Sequence, residues 1–395
     1  RFAAQLAHAA AGKFRSKKAV IQFTLETDKA LFEKSMRFAQ KQVKRLIDTN
    51  PGFYPMYTKD GKWKHDGPAW TRWCDGFLPG MMWLFRRFEA ETGGKDPEYW
   101  YKKAVDYTKP LEKRKSDRDV HDLGFVFQHS YYRWFQVDRD PKLEEIVVEA
   151  GKTLALRYRD KGNYLRSFVA ENSLFIDIMM NVGLVFYAAR ATGDKNLREI
   201  ATRHSLTTRR FLVRGDGSTA HEGIFDIETG EFLREATQQG YRADSCWARG
   251  LAWAIYGFST AYEYSRDPHF LETAEDCADY YITHGNADGM APWDFNAPAD
   301  QRKQIDTSAA AIAASAMLRL GRLLHDPIKG HFYWNTGVRI LRTLCQNHLA
   351  DKDKEWEGVL KGGVYHLHKD LGVNESVMWG DHFFVEALEH ALRRI

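Results

Sequence analysis

Six times along the chain an aspartate (Asp75, Asp122, Asp177, Asp244, Asp306 and Asp381) opens an apolar, aromatic-rich stretch of helical period. Five of these stretches run into a short turn and then a second, more polar helical stretch. The turns share a signature: Lys95-Asp96-Pro97, Arg139-Asp140-Pro141, Gly193-Asp194-Lys195, Arg266-Asp267-Pro268 and His325-Asp326-Pro327. Each puts an aspartate at a natural N-cap, and four add proline at the first helical position, where its missing N–H costs nothing. A recurrence of roughly 45 to 75 residues predicts an array of helical hairpins. One hairpin cannot bury its own apolar face, so the array is one domain. The sixth apolar stretch, Asp381 to Ile395, has no following partner, and Glu26 to Asp48 reads as an outer helix with no preceding one. Pairing these two closes the array into an all-α (α/α)6 barrel, a six-hairpin toroid over residues 26–395, with residues 1–25 as an N-terminal extension. The inner-helix aspartates then gather at one mouth.

Composition narrows the function. A net charge of +4 over 395 residues is mild, and the Lys/Arg clusters at Lys13 to Lys18 and Lys109 to Arg118 read as solvated faces, not a nucleic-acid surface. Cys74, Cys246, Cys277 and Cys345 lie far apart with no C-x-x-C, which indicates neither a disulfide framework nor a metal site. No apolar run reaches the ~18 residues of a membrane span. The chain begins at Arg1 rather than Met, which leaves the compartment open between cytoplasm and periplasm; a monomer or weak homodimer is expected. Aromatic residues make up 14% of the chain, and Trp70, Trp73, Trp247, Trp253, Trp293 and Trp379 fall near the predicted mouth. Aromatic faces of this kind suit sugar rings.

Among the acids, Asp177 stands in the apolar run Leu174-Phe175-Ile176-Asp177-Ile178-Met179-Met180. A carboxyl buried without partners takes up a proton, which is what a general acid needs near neutral pH. Asn172 and Ser173 are better placed to cap the following helix, so Asp177 reads as catalytic. Asp122, in His121-Asp122-Leu123-Gly124-Phe125, reads locally as a cap or as a functional acid. Its neighbour His121 and its station one repeat before Asp177 favour a pair of carboxyls facing one ligand, the usual equipment for chemistry at a glycosidic linkage. Asp306 reads as a cap, and Asp75 and Asp381 as supports of the mouth. Arg249 lies inside an apolar helix and needs an anion, either Asp244 or a carboxylate on the ligand, and Trp253 follows on the same helical side. His221 falls in a long connection between the third and fourth repeats, where a lone histidine ordinarily faces solvent. No phosphate-cradling glycine loop, Ser–His–Asp order or zinc-ligand spacing is present, so no metal or organic cofactor is expected.

The stations Trp73-x-x-Gly76-Phe77-x-x-Gly80, His121-Asp122-Leu123-Gly124-Phe125, Ile176-Asp177-x-Met179-Met180-Asn181, Ser245-x-Trp247-Ala248-Arg249-Gly250-x-Ala252-Trp253 and Trp379-Gly380-Asp381-His382-Phe383-Phe384 resemble the unsaturated glucuronyl hydrolases of glycoside hydrolase family 88. The resemblance implies an (α/α)6 barrel acting on oligosaccharides that carry a 4,5-unsaturated uronic acid at the non-reducing end. It implies hydration of that double bond, with Asp177 as general acid and base and Asp122 as the carboxylate that holds the sugar. Trp73, His121, His221, Thr237, Gln239, Trp247, Arg249, Trp253 and Ser376 fall where the family places sugar contacts. No tryptophan occurs between Asn163 and Glu171, where family members can carry an aromatic platform, and Phe168 stands in its place. The related unsaturated rhamnogalacturonyl hydrolases, an inverting glycosidase of the same fold, and a non-catalytic sugar-binding toroid are the alternatives.

Overall fold

The turn aspartates do what their position predicts. In the computed structural model, which describes residues 17–66 and 71–393, Asp140, Asp194, Asp267 and Asp326 each accept a hydrogen bond from a backbone N–H of the helix they precede. Asp96 holds the N-cap position without such a bond. These five start the outer helices α3 (Pro97–Thr108), α6 (Pro141–Ala155), α8 (Lys195–Leu212), α10 (Pro268–His284) and α12 (Pro327–Thr343). The remaining outer helix is α1 (Lys17–Thr49), which begins before the predicted Glu26. The rest of the expected extension, residues 1–16, lies outside the described residues.

The inner helices are less regular. They are α2 (Phe77–Thr92), the broken pair α4 (Leu123–Phe127) and α5 (Tyr131–Asp138), α7 (Val182–Thr192), α9 (Ala248–Ser265), α11 (Thr307–Leu323) and α13 (Met378–Leu392). The ring closes as the unpaired ends require. The last inner helix, α13, packs on α2 and α1, and Arg342 of α12 grips Asp28 of α1 through bonds of 2.7 and 2.6 Å. The fold is the (α/α)6 barrel.

Of the inner-helix aspartates, only Asp306 is a side-chain cap, accepting from Ser308 N at 2.9 Å. Asp244 is exposed and pairs with Arg242 at 2.6 Å, so it does not belong to the mouth. Ser173 does not cap a helix either: it lies in a strand, and Asp177 follows on a 3-10 turn, Ile176–Met180.

Short antiparallel strands stand on the inter-helix connections: β1 (Thr58–Lys59) with β2 (Lys62–Trp63), β3 (Tyr158–Arg159) with β4 (Tyr164–Leu165), and β8 (Gly363–His366) with β9 (Leu371–Glu375). A three-stranded sheet of β5 (Ser173–Phe175), β6 (Glu222–Phe225) and β7 (Phe232–Ala236) replaces the expected loop around His221. Its pairing of Phe175 with Glu222 puts His221 beside the start of the Asp177 turn, where Ile176 N donates to His221 O at 3.0 Å.

Down the barrel axis the inner helices supply a floor of rings. Phe125 packs on Phe77 and Trp253, and Trp253 packs on Phe383, at centroid distances of 5.2 to 5.5 Å. Among the described residues, no helix is long and apolar enough to cross a membrane.

Candidate active site

Two neighbouring hairpins meet at a point where one of them cannot carry a side chain. A Cβ on Gly124 would stand 2.4 Å from the Cα of Asn181, so only glycine lets α4 approach the segment bearing Asp177. Asn181 fixes the contact, accepting from Phe125 N at 2.8 Å and donating to Asp177 O at 3.1 Å. On the other flank, a Cβ on Gly257 of α9 would lie 2.6 Å from Met179 O, so the Asp177 turn sits flush on that helix. The result is a cavity of about 230 Å³ whose wall includes Asp122 and Asp177 together with Thr71, Trp73, His121, Phe125, Phe168, Phe175, Gln238, Gln239, Arg249, Tyr365, His366 and Lys369.

Asp177 is poorly compensated. Its side chain is 15% exposed, and its buried Oδ2 has no hydrogen-bond partner. It faces His221 Nε2 at 3.6 Å, beyond hydrogen-bonding reach. Burial pushes the carboxyl up to about 7, with Arg249 pulling it down and the charge of Asp122 pushing it further up. The expected general acid therefore has the proton affinity that its apolar run implied.

His221 is not the solvent-facing loop residue its position suggested. It is buried, and its Nδ1 accepts the backbone N–H groups of Gln238 at 3.1 Å and Gln239 at 3.3 Å. A ring nitrogen that accepts cannot carry the hydrogen of a neutral imidazole, so the proton sits on Nε2 and points at Asp177. Burial pushes the imidazolium down to about 3, keeping the ring neutral. Thr237, with its hydroxyl 3.2 Å from the same Nδ1, supports His221 rather than lining the cavity. His121 repeats the device. Its Nδ1 accepts from Phe168 N at 3.0 Å, which turns Nε2–H toward Asp122 at 3.3 Å. Asp122 also accepts from the Thr71 hydroxyl at 2.8 Å.

Arg249 finds its anion in Asp306, at 3.5 Å, not in Asp244. The guanidinium also donates to the carbonyls of Val364 and Tyr365 and to Gln239 Oε1, and it lies over Trp247 and Trp379 at 4.4 and 5.1 Å. Charge is thus fixed rigidly at the cavity wall.

Besides His221 and Thr237, which stand behind the wall, three more predicted sugar contacts do not line the cavity. Trp247 lies under Arg249 and against His221, at a centroid distance of 4.6 Å. Trp253 is part of the ring floor, 1% exposed. Ser376 is fully buried, taking Thr58 Oγ1 as acceptor of its N–H at 2.9 Å and donating its hydroxyl to Leu360 O. The last mouth loop does reach the cavity, but through Tyr365, His366 and Lys369, an aromatic and basic cluster whose composition was the available sequence signal. Thr71 carried no such signal.

A raised carboxyl pKa does not by itself mark the acid. Asp381 is also pushed up to about 7 by burial, yet it accepts from Val359 N and Leu360 N at 2.9 Å each and does not line the cavity. It ties a loop to α13, the support role its sequence position predicted.

Residues 35–319 match the family model described as Glycosyl Hydrolase Family 88. The chain is 31% identical over 360 residues to an unsaturated glucuronyl hydrolase of Bacillus sp. (strain GL1), covering 88% of this chain and 92% of the relative. It is likewise 31% identical over 365 residues to an unsaturated chondroitin disaccharide hydrolase of Streptococcus pyogenes serotype M1, covering 90% and 89%. Among solved structures, an unsaturated glucuronyl hydrolase specific for heparin superposes with a TM-score of 0.85 at 28% identity, over 93% of this chain and 98% of that one.

Proposed function

The chain belongs to Glycosyl Hydrolase Family 88, and from that membership we infer that it removes 4,5-unsaturated glucuronic acid from the non-reducing end of lyase-generated oligosaccharides, disaccharides of glycosaminoglycan type. The reaction is hydration of the C4=C5 double bond. Asp177 gives its proton to C4, water adds to C5, and the proton shed by that water returns to Asp177. The hemiketal at C5 then opens and the next sugar leaves.

One observation supports this reading above the others: a carboxyl pushed up to about 7 by burial, its Oδ2 unpartnered, opposite the Nε2–H of a neutral His221 in a sugar-sized cavity. The carboxyl carries a proton to give, and the unsatisfied pair offers two polar groups to an attacking water placed beside them. Protonating an enol ether builds positive charge at C5 and the ring oxygen, and the carboxylate left on Asp177 stabilises it in a dry site. Asp122, held by the Thr71 hydroxyl and faced by the neutral His121 ring, accepts from sugar hydroxyls. Arg249 and Lys369 place positive charge on the wall that meets an anionic substrate, and Trp73 offers a face to the ring.

A panel of lyase-generated unsaturated disaccharides, sulfated and unsulfated, with a pectin-derived rhamnose disaccharide beside them, tests the assignment. Loss of the double-bond absorbance with release of the hexosamine is expected. Turnover of the rhamnose substrate alone would transfer the chain to the rhamnogalacturonyl class.

A further inference from the structure

Below the ring floor lies a second constellation that the hydration does not use. Phe77, which packs on the cavity residues Trp73 and Phe125, also packs on His129 and His382 at 5.1 and 5.0 Å. His129 stands in the break between α4 and α5. His382 and Glu386 are four residues apart on α13 and so share one helical face. All three are buried, and one ligand atom from each lies within 4.8 Å of the others.

The protonation pattern is that of ligands without a ligand-bound centre. His382 Nδ1 is 3.1 Å from Phe77 O, and a carbonyl only accepts, so the hydrogen is on Nδ1 and the lone pair is on Nε2. That Nε2 is buried with no partner, and so is Nδ1 of His129. An imidazole whose far N–H is anchored on a backbone carbonyl is the usual arrangement of a metal-bound histidine. Glu386 is held ionised by Arg133 at 2.6 Å and oriented by Ser315 and Tyr256 at 2.7 and 3.1 Å. His129 and Arg133 also border a cavity of about 300 Å³, which leaves space for water as a further ligand.

We propose that His129, His382 and Glu386 form a site for a divalent transition-metal ion of zinc type, clamping the last inner helix to the second hairpin. Tetrahedral zinc sets its ligand atoms about 3.3 Å apart, so the three side chains close inward by small rotations. Arg133 stays on the carboxylate as its outer partner, which weakens the site relative to one without a neighbouring cation. A sequence search for ligand spacing misses it because two of the three ligands come from one helix at His-x-x-x-Glu and the third from far along the chain.

The chain, stripped with chelator and dialysed, is titrated with Zn²⁺ by calorimetry, and with Cu²⁺ under electron paramagnetic resonance. The expected result is one Zn²⁺ per chain, a rise in melting temperature on binding, and Cu²⁺ hyperfine structure from two imidazole nitrogens. His382→Gln and His129→Gln should each weaken Zn²⁺ binding at least tenfold. Absence of stoichiometric Zn²⁺ binding, a Cu²⁺ spectrum without two nitrogens, or undiminished binding in a folded His382→Gln chain overturns the proposal. The Cu²⁺ measurement needs only the unaltered chain, so a variant that fails to fold does not shield the idea.

Discussion

The barrel buries a carboxylate at each end of its axis and treats the two in opposite ways. At the mouth, Asp177 has an unpartnered oxygen and a carboxyl pushed up to about 7 by burial. Below the ring floor, Glu386 has Arg133, Ser315 and Tyr256, and its carboxyl is held far below the ordinary range by Arg133 despite its burial. Both sit among apolar helices, so burial alone does not decide what a carboxylate does. What decides is whether the fold pairs the group with a cation: beside Arg133 the carboxyl is a structural anion, while Asp177, and Asp381 despite its two backbone N–H donors, are pushed up toward neutrality.

The largest expected effect removes the proton that Asp177 holds. Asp177→Asn is near-isosteric and should lower kcat/KM by at least about 10³-fold, in the upper range for loss of a general acid and base. Disaccharide binding, measured by calorimetry, should be retained. If the variant keeps a tenth of the activity, the proton comes from elsewhere and the contrast between the two carboxyls has no catalytic meaning.

The reverse change at the far end should damage the fold and spare the chemistry. Glu386→Gln leaves the guanidinium of Arg133 half-matched in the interior, and breaking a buried pair from one side costs about 3–5 kcal/mol. Urea unfolding should show a loss of that order, while kcat per folded molecule stays within about twofold. A large fall in kcat at unchanged stability would make Glu386 part of the active site and erase the division.

The two groups also tilt the pH dependence of stability in opposite directions. The folded-state pKa of Asp177 is about 7, against 3.8 as its ordinary value. Ionising it therefore costs the fold stability progressively from about pH 4 to about pH 7 and no more above that, by about 2–4 kcal/mol where the cavity is dry. Asp177→Asn should accordingly match the parent at pH 4 and exceed it at pH 8. Glu386, its carboxyl depressed, contributes stability that is present above its ordinary 4.5 and is lost as the pH falls below that. The same Asp177 titration should appear in catalysis as a fall of kcat/KM above about pH 7, because the free enzyme must hold the proton. A stability difference between parent and Asp177→Asn that is flat from pH 4 to 8 would remove the raised carboxyl.

Much of this was legible in the residues. The Asp-Pro turns foretold the outer helices because a cap acts through its own backbone neighbourhood, and the lone acid in Leu174 to Met180 foretold its own proton affinity because the apolar run surrounds it. The partners across the fold were not legible. Arg249 meets Asp306 and the carbonyls of Val364 and Tyr365, all far along the chain, so Asp244, its neighbour in sequence, was a poor guide. His221 read as a loop residue because the strands that bury it are short and pair with Ser173 to Phe175 across many intervening residues. Ser376 lies near the mouth in sequence, but its hydrogen bonds turn it inward.

The smallest expected effect concerns Phe168, in the stretch where an aromatic platform was expected and no tryptophan occurs. Phe168 is 38% exposed at the cavity and packs on His121 at 5.3 Å, while its backbone N–H, not its ring, fixes the His121 tautomer. Phe168→Ala therefore removes a stacking face and leaves the proton arrangement at Asp122 intact. An aromatic contact of this kind contributes about 0.5–1.5 kcal/mol, so KM should rise by about two- to tenfold with kcat nearly unchanged. Phe168→Trp should restore or improve KM, since a larger face meets the same sugar. If kcat falls with KM in Phe168→Ala, the ring is holding His121 and Asp122 in place, and the mouth depends on packing as much as the far end does.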